Sequence, residues 1–170
     1  MLKKIIIMGI DPGLADTGFG IIEKQDRNLT VLDFGSIKTG SELGTEDRLK
    51  EIYKNLNQLI KKYRPEKIAI EKLFFSKNVK TALAVGQARG VAILAASHNH
   101  LKIAEFTPLQ VKQAVTSYGK ADKKQIQQMV KVILNLKSPI KSDDAADALA
   151  IAICYAHSFS TITTKKRFLE

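Results

Sequence analysis

The sequence predicts one α/β domain, built on a mixed five-stranded sheet that is flanked by helices. Three strand-like segments follow one another near the N-terminus, two further strands alternate with helical segments, and the last third of the chain is helical. A meander followed by β-α-β crossovers gives a sheet of mixed direction with helices on both faces. A chain of 170 residues suits one such domain. We assign residues 1–160 to it and residues 161–170 to a basic tail that we expect to be flexible.

Alternating apolar residues and turn signals define the strands. They are predicted at residues 3–10, 18–24, 29–37, 67–71 and 101–106. Apolar residues at helical spacing, with capping signals, define the helices. They are predicted at residues 45–63, 78–98, 123–136 and 143–158, with one more beginning after Thr107. Thr45 is the expected N-cap of the first helix, and Thr107-Pro108-Leu109-Gln110 has the form of a capping box.

The charge balance favours a polyanionic partner. The net charge of +10 is large for so small a domain, and nucleic acid is the usual partner of such a surface. A generally basic surface without a partner is the alternative. Cys154 is the only cysteine, which excludes a disulfide framework and a Cys-rich zinc site and favours a reducing cytoplasm. The N-terminus shows no signal-peptide pattern, so we expect a cytoplasmic protein.

Carboxylates end two of the strands that should lie near the centre of the sheet. Asp11 follows the first strand, directly before Pro12-Gly13, and Glu71 ends the fourth. A buried charge is unfavourable unless it is paired. Asp11 could simply begin a turn, or it could pair with a buried Lys or Arg.

A third group of acids, Asp143, Asp144 and Asp147, opens the last helix. Acids in a first helical turn interact favourably with the helix dipole, which explains Asp143 and Asp144. It explains Asp147 poorly, because that residue lies a turn further along, among alanines. Asp144 and Asp147 are three residues apart and share a face.

Convergence of these carboxylates would raise their pKa values unless a cation joined them. An all-carboxylate site suits hard divalent ions, so Mg²⁺ or Mn²⁺ is the expected cofactor. Two such ions about 3.5–4 Å apart can promote phosphodiester cleavage. The three histidines show no ligand-like spacing, so zinc chemistry and a Ser-His triad are unsupported.

Four segments together resemble the RuvC family of bacterial Holliday-junction resolvases. They are IMGIDPG with TGFG, IAIEKLFF, NVKTALAVGQARG and DAADALAIA, and the likeness extends from Lys3 to about His157. The resemblance implies an RNase H-like nuclease domain that makes paired, symmetric nicks in strands of like polarity, in recombination and DNA repair. It implies two Mg²⁺ per subunit, replaceable by Mn²⁺, a homodimer, and RuvA- and RuvB-type branch-migration partners. The family's catalytic metal-binding acids correspond to Asp11, Glu71, Asp144 and Asp147. The role of Asp143 stays open, with helix capping as the simpler explanation.

The same resemblance suggests which residues meet DNA. Residues 107–141 carry seven lysines against one acid. Lys112 and Lys123 match family positions near the scissile phosphate and along bound DNA, and we also place Lys112 among the catalytic residues. Phe74 matches a family aromatic that stacks on opened bases, whereas Phe75 is assigned to packing.

Two other functional classes remain as alternatives. Actin-like ATPases share the opening strand and I-D-x-G turn, but they need two such domains and do not predict the pair Asp144 and Asp147. A catalytically inactive junction- or RNA-binding module should have lost one or more acids, and all four are present.

Two symmetric nicks suggest two active sites related by a two-fold axis. The helix at 78–98, with Gly86 and Gly90, is the candidate dimer interface. Packing of this helix within its own domain is the alternative.

Overall fold

The computed structural model describes residues 4–72 and 79–167 and confirms the mixed five-stranded sheet. The strands are β1 (Lys4–Asp11), β2 (Asp16–Gln25), β3 (Asn28–Lys38), β4 (Lys67–Glu71) and β5 (Lys102–Phe106). They lie in the order β3-β2-β1-β4-β5. The first three strands are antiparallel, whereas β4 runs parallel to both β1 and β5. The predicted meander and crossovers therefore join at β1, the central strand.

Helices cover both faces of this sheet. They are α1 (Thr45–Tyr63), α2 (Val79–His98), α3 (Pro108–Thr116), α4 (Lys123–Ile133) and α5 (Asp143–Arg167). One core lies between the sheet and α3, α4 and α5, and a second lies between the sheet and α1 and α2. Successive residues of β1 alternate between the two cores: Ile7 enters the first, and Met8 and Ile10 enter the second. Burial on both faces explains the continuous apolar sequence of this strand.

Glycines let α5 approach the sheet closely. A Cβ atom at Gly9 would overlap the backbone of Ala148, and one at Gly18 would overlap the backbone of Asp144. The N-terminal half of α5 therefore lies directly on β1 and β2. This approach brings the first turns of α5 to the end of β1.

Three helix boundaries differ from prediction. Gly44, not Thr45, is the N-cap of α1, and it offers no side-chain cap. Helix α4 ends at Ile133 rather than near Leu136, because Asn135 adopts a positive φ of 49°. Helix α5 continues to Arg167, past the predicted end at residue 158, while the assignment of residues 161–170 to a flexible tail stays a prediction. No glycine or proline interrupts residues 158–167.

Neither described stretch, 4–72 or 79–167, contains a helix long and apolar enough to cross a bilayer.

Candidate active site

The ends of β1 and β4 bring Asp11 and Glu71 together. Both are the last residues of their strands, and the parallel register pairs Ile10 with Ile70 immediately before them. Side chains alternate along a strand. Ile10 and Ile70 point into the core beneath α1 and α2, so the two acids point toward the opposite face, where α5 lies.

Helix α5 supplies the other acids. Asp11 pairs with Gly18 of β2, and Gly18 in turn lies against the backbone of Asp144. Asp147 follows one turn later on the same face. Both aspartates are half-buried. The acidic cluster is defined here as Asp11, Glu71, Asp144 and Asp147.

A cavity of about 270 Å³ lies beside the acidic cluster. Its walls include three members of the acidic cluster, Asp11, Glu71 and Asp147, together with Asp122 and the two lysines Lys112 and Lys123. Asp144 is absent from these walls, although its charge acts on both Asp11 and Asp147. The structure therefore brings three of the four predicted acids and both predicted lysines to one cavity, with Asp144 at its border.

Capped helices hold the two lysines in place. Thr107 and Gln110 form the predicted capping box of α3: Gln110 N donates to Thr107 Oγ1 at 3.1 Å, and Thr107 N donates to Gln110 Oε1 at 2.8 Å. Lys112 lies in the second turn of this helix. Asp122 caps α4 in the same way through Gln125. Lys123 is therefore the first residue of α4, directly at the cavity.

Burial is the largest cause of the raised pKa values in the acidic cluster, and neighbouring like charges add to it. Burial, followed by the charges of Asp147, Glu71 and Asp144 in that order, raises the pKa of Asp11 from 3.8 to about 7, against a smaller opposing effect of Lys123. Burial is also the main cause of the raised pKa of Glu71, which Lys112 partly offsets. Burial likewise raises the pKa values of Asp144 and Asp147.

A hard divalent cation fits this donor set. The four side chains offer only carboxylate oxygens, and a cation would remove the repulsion that raises their pKa values. The side chains do not form a finished ligand cage: no three His, Cys, Asp or Glu side chains in residues 4–72 and 79–167 are grouped closely enough to hold a metal. The fit therefore rests on donor chemistry and charge.

Lys123 partly neutralises the cluster. Its Nζ lies 3.1 Å from Asp143 Oδ2 and 3.6 Å from Asp147 Oδ2. The side chain of Lys123 is 53% exposed, so its ammonium group has room to move toward solvent or toward a phosphate. We predicted a DNA contact for Lys123, and the structure adds an ion pair with the acids.

Asp143 links two helices. Its Oδ1 accepts a hydrogen bond from Gln127 Nε2 at 2.7 Å, and its Oδ2 pairs with Lys123. Both partners lie on α4. Helix capping, which we considered the simpler role for Asp143, is instead provided by Ser142, whose Oγ accepts from Ala145 N at 3.3 Å.

Asp16 is an acid of this region that the sequence analysis missed. It begins β2, and its charge is the largest contribution after burial to the raised pKa of Asp144. Its Oδ1 is buried and has no hydrogen-bond partner within the described ranges, while Oδ2 lies 4.0 Å from Lys38 Nζ. The sequence signal for Asp16 was its position five residues after Asp11, across a tight turn that keeps the two acids in the same region.

The predicted base-stacking residue Phe74 lies outside the described residues, as does Phe75. The stacking role of Phe74 and the packing role of Phe75 therefore stay predictions.

Known proteins resemble this chain over nearly its whole length. The family model described as "Crossover junction endodeoxyribonuclease RuvC" matches residues 7–155. Proteins of that name from Alkaliphilus oremlandii and Alkaliphilus metalliredigens are 58% and 55% identical to it, over 91% of this chain and 94% of each relative.

Solved structures agree with these relatives. The structure of T. thermophilus RuvC in complex with a Holliday junction substrate matches with a TM-score of 0.88 and 32% identity, over 94% of this chain and 97% of that chain. The Thermus thermophilus RuvC structure alone matches with a TM-score of 0.84 and 31% identity, over 92% of this chain and 96% of that chain. The expected RNase H-like fold is confirmed, and the chain belongs to the RuvC family of metal-dependent crossover junction endodeoxyribonucleases.

Proposed function

We propose that this chain resolves Holliday junctions by paired, symmetric nicks in strands of like polarity, as an endonuclease of homologous recombination and DNA repair. The observation that carries the proposal is the cavity in which Asp11, Glu71 and Asp147 face Lys112 and Lys123. Acids suited to a divalent cation and lysines suited to a phosphate line one cavity, as metal-dependent phosphodiester hydrolysis requires. The T. thermophilus relative, 32% identical, was solved with a Holliday junction.

The acidic cluster would hold the cofactor, for which we propose two Mg²⁺ per subunit with Mn²⁺ as a substitute. Bound ions of this kind activate a water molecule and stabilise the leaving oxygen of a phosphodiester. Asp11 has a pKa of about 7, so without a cation it holds a proton about half the time at neutral pH. Cation binding at Asp11 therefore competes with protonation and should strengthen as the pH rises.

Lys112 and Lys123 would position the DNA by contacting its phosphates. Lys112 lies in the cavity wall near Glu71, where its ammonium group can hold the phosphate that is cut. Lys123 lies at the cavity mouth and can exchange its carboxylate partners for a backbone phosphate. Contacts of this kind provide affinity without reading bases. We assign to Phe74 the stacking contact with an opened base.

A homodimer is the proposed assembly, with α2 at its interface. Leu83 and Leu94 are 65% and 47% exposed. At about 100° per residue they lie within about 20° of one another around the helix, with Gly90 between them. Within the described part of the chain, and apart from its chain neighbours and the nearby backbone of α2, no atom lies within 4 Å of a Cβ built at Gly90, which leaves room for a second helix. A second copy would supply the second nick.

We further propose a cytoplasmic location and an association with RuvA- and RuvB-type branch-migration proteins. The buried free thiol of Cys154 fits a reducing compartment. The branch-migration partners follow from family membership.

The test of the function uses a synthetic mobile four-way junction. The protein is incubated with the junction and Mg²⁺, and the cuts are mapped on each labelled strand. Paired cuts at symmetric positions are expected. Tight binding without cuts would favour the catalytically inactive module, and cuts on linear duplex at an equal rate would refute structure-specific cleavage.

A further inference from the structure

Arg89 of α2 makes two contacts at the base of the candidate active site. Its guanidinium Nη2 lies 2.8 Å from Glu105 Oε1 of β5, and its Nε donates a long hydrogen bond of 3.4 Å to the backbone carbonyl of Glu71. The Arg89 side chain is only 18% exposed. The Glu105 side chain is 41% exposed, so the pair is buried on the arginine side only. The backbone contact of the half-buried guanidinium distinguishes it from an ordinary surface pair, whose contribution is small.

These contacts reach β4 from the face opposite the cavity. Glu105 alternates with Phe106, which packs against the core beneath α5, so Glu105 projects toward α2. The Glu71 carboxylate points the other way, toward the cavity. Arg89 therefore contacts the main chain of Glu71 from the face of the sheet opposite the cavity. The side chain of Glu71 stays available to the active site.

Within residues 4–72 and 79–167, few other backbone contacts restrain the end of β4. Glu71 is the last residue of the strand, and its register partner is Phe106, the last residue of β5. One more ladder bond follows, from Lys72 N to the Phe106 carbonyl at 2.7 Å. On the other side of β4, the β1 register ends one residue earlier, at Ile10 and Ile70. Among the described residues, the backbone pairing that remains at Glu71 and Lys72 without Arg89 lies on the β5 side.

We propose that Arg89 is a positioning residue for Glu71. The guanidinium, paired with Glu105, fixes the position of the Glu71 backbone relative to β5, so that the Glu71 carboxylate would be held where the acidic cluster can bind a cation. Displacements of about 1 Å in such a site can lower a rate by about 10²-fold. The inference rests on the proposed role of Glu71 in cation binding.

The test compares Arg89→Ala, Arg89→Lys and Glu105→Gln with a control from the same region of the fold. Asn99 follows the C-terminal end of α2 and donates hydrogen bonds to Asn57 at 2.7 Å and to the Ala95 carbonyl at 2.8 Å. Asn99→Ala should therefore weaken the packing of α2 without touching β4. Each variant is titrated with Mn²⁺ alone by calorimetry, assayed for junction binding without metal, and assayed for cleavage below its melting temperature.

Arg89→Ala should raise the Kd for Mn²⁺ about 10-fold and lower the cleavage rate about 10- to 100-fold, with junction affinity changed less than 2-fold. Arg89→Lys and Glu105→Gln should shift the Kd in the same direction by smaller factors, because each keeps part of the bridge. If Arg89→Ala does not fold, the Kd values of Arg89→Lys and Glu105→Gln test the positioning role of Arg89. A Kd for Mn²⁺ equal to that of Asn99→Ala in every folded variant would overturn the proposal.

Glu71→Gln separates this inference from the proposed function. If Glu71→Gln binds Mn²⁺ and cuts junctions like the unmodified protein, the proposed role of Glu71 is wrong. If Glu71→Gln is inactive while the Arg89 and Glu105 variants behave like Asn99→Ala, only the positioning role is wrong.

Discussion

Replacing Asp11 with asparagine should stabilise the metal-free protein while it abolishes cleavage. Burial and three neighbouring acids raise the pKa of Asp11 from an ordinary 3.8 to about 7. A carboxyl whose pKa is higher in the folded state binds its proton more tightly there. Its ionisation therefore destabilises the fold as the pH rises from 3.8 through 7, and an amide removes this effect.

The size of the gain follows from the two pKa values. With a pKa of 3.8 in the unfolded chain and about 7 in the folded one, ionisation of Asp11 lowers the free energy of unfolding by about 4 kcal/mol at pH 8 and by about 1.7 kcal/mol at pH 5. Relaxation of the half-buried site reduces this, so a gain of about 2–4 kcal/mol is expected at pH 8. For a chain of this length, that raises the melting temperature by roughly 5–15 °C.

The assay is thermal unfolding of both proteins in a chelating buffer from pH 5 to pH 8. The gain of Asp11→Asn over the unmodified protein should shrink as the pH falls. Asp143→Asn is the matched control, because a hydrogen bond from Lys123 holds the pKa of this exposed carboxyl below its usual range. It should bring no stabilisation. An Asp11→Asn protein that is less stable at pH 8, or a gain that does not change with pH, would refute this account of the cluster.

The remaining predictions concern cleavage. Four variants each remove one carboxylate of the acidic cluster: Asp11→Asn, Glu71→Gln, Asp144→Asn and Asp147→Asn. Each should abolish cleavage in Mg²⁺ or Mn²⁺ and keep junction binding in gel-shift assays, and a variant that cuts at the normal rate removes that residue from the site. Ca²⁺ should not support cleavage by the unmodified protein, because it is larger and tolerates looser geometry. Lys112→Ala and Lys123→Ala should each flatten the salt dependence of junction binding by about one phosphate contact; an unchanged slope and rate would make them ordinary surface lysines. Phe74→Ala should reduce cleavage more than melting temperature, whereas parallel losses would assign Phe74 to packing. Mixed dimers of unmodified and Asp11→Asn subunits should nick one strand without completing resolution, and paired cuts by such dimers would contradict the two-site arrangement.

Several features of this protein follow from local sequence alone. The five strands, the capping box at Thr107 and the capped start of α4 depend on residues within a few positions of one another. The positions of Asp11 and Glu71 at the ends of their strands were predictable, whereas the parallel pairing that brings these two ends together is shown by the structure. The order of motifs also predicted the family, which the relatives confirm.

Other features depend on how distant elements pack. Lys123 contacts Asp147, and Arg89 contacts Glu71. The residues of each pair lie far apart in the sequence, and no helical or strand periodicity relates them. Asp144 borders the cavity instead of lining it, because the close approach of α5 at Gly18 sets which helical face meets β1. The raised pKa of Asp11 arises from burial and from acids on two other elements, β4 and α5. Each acid could be named from its own motif, but the distances that couple the acids exist only once the sheet and α5 have packed together.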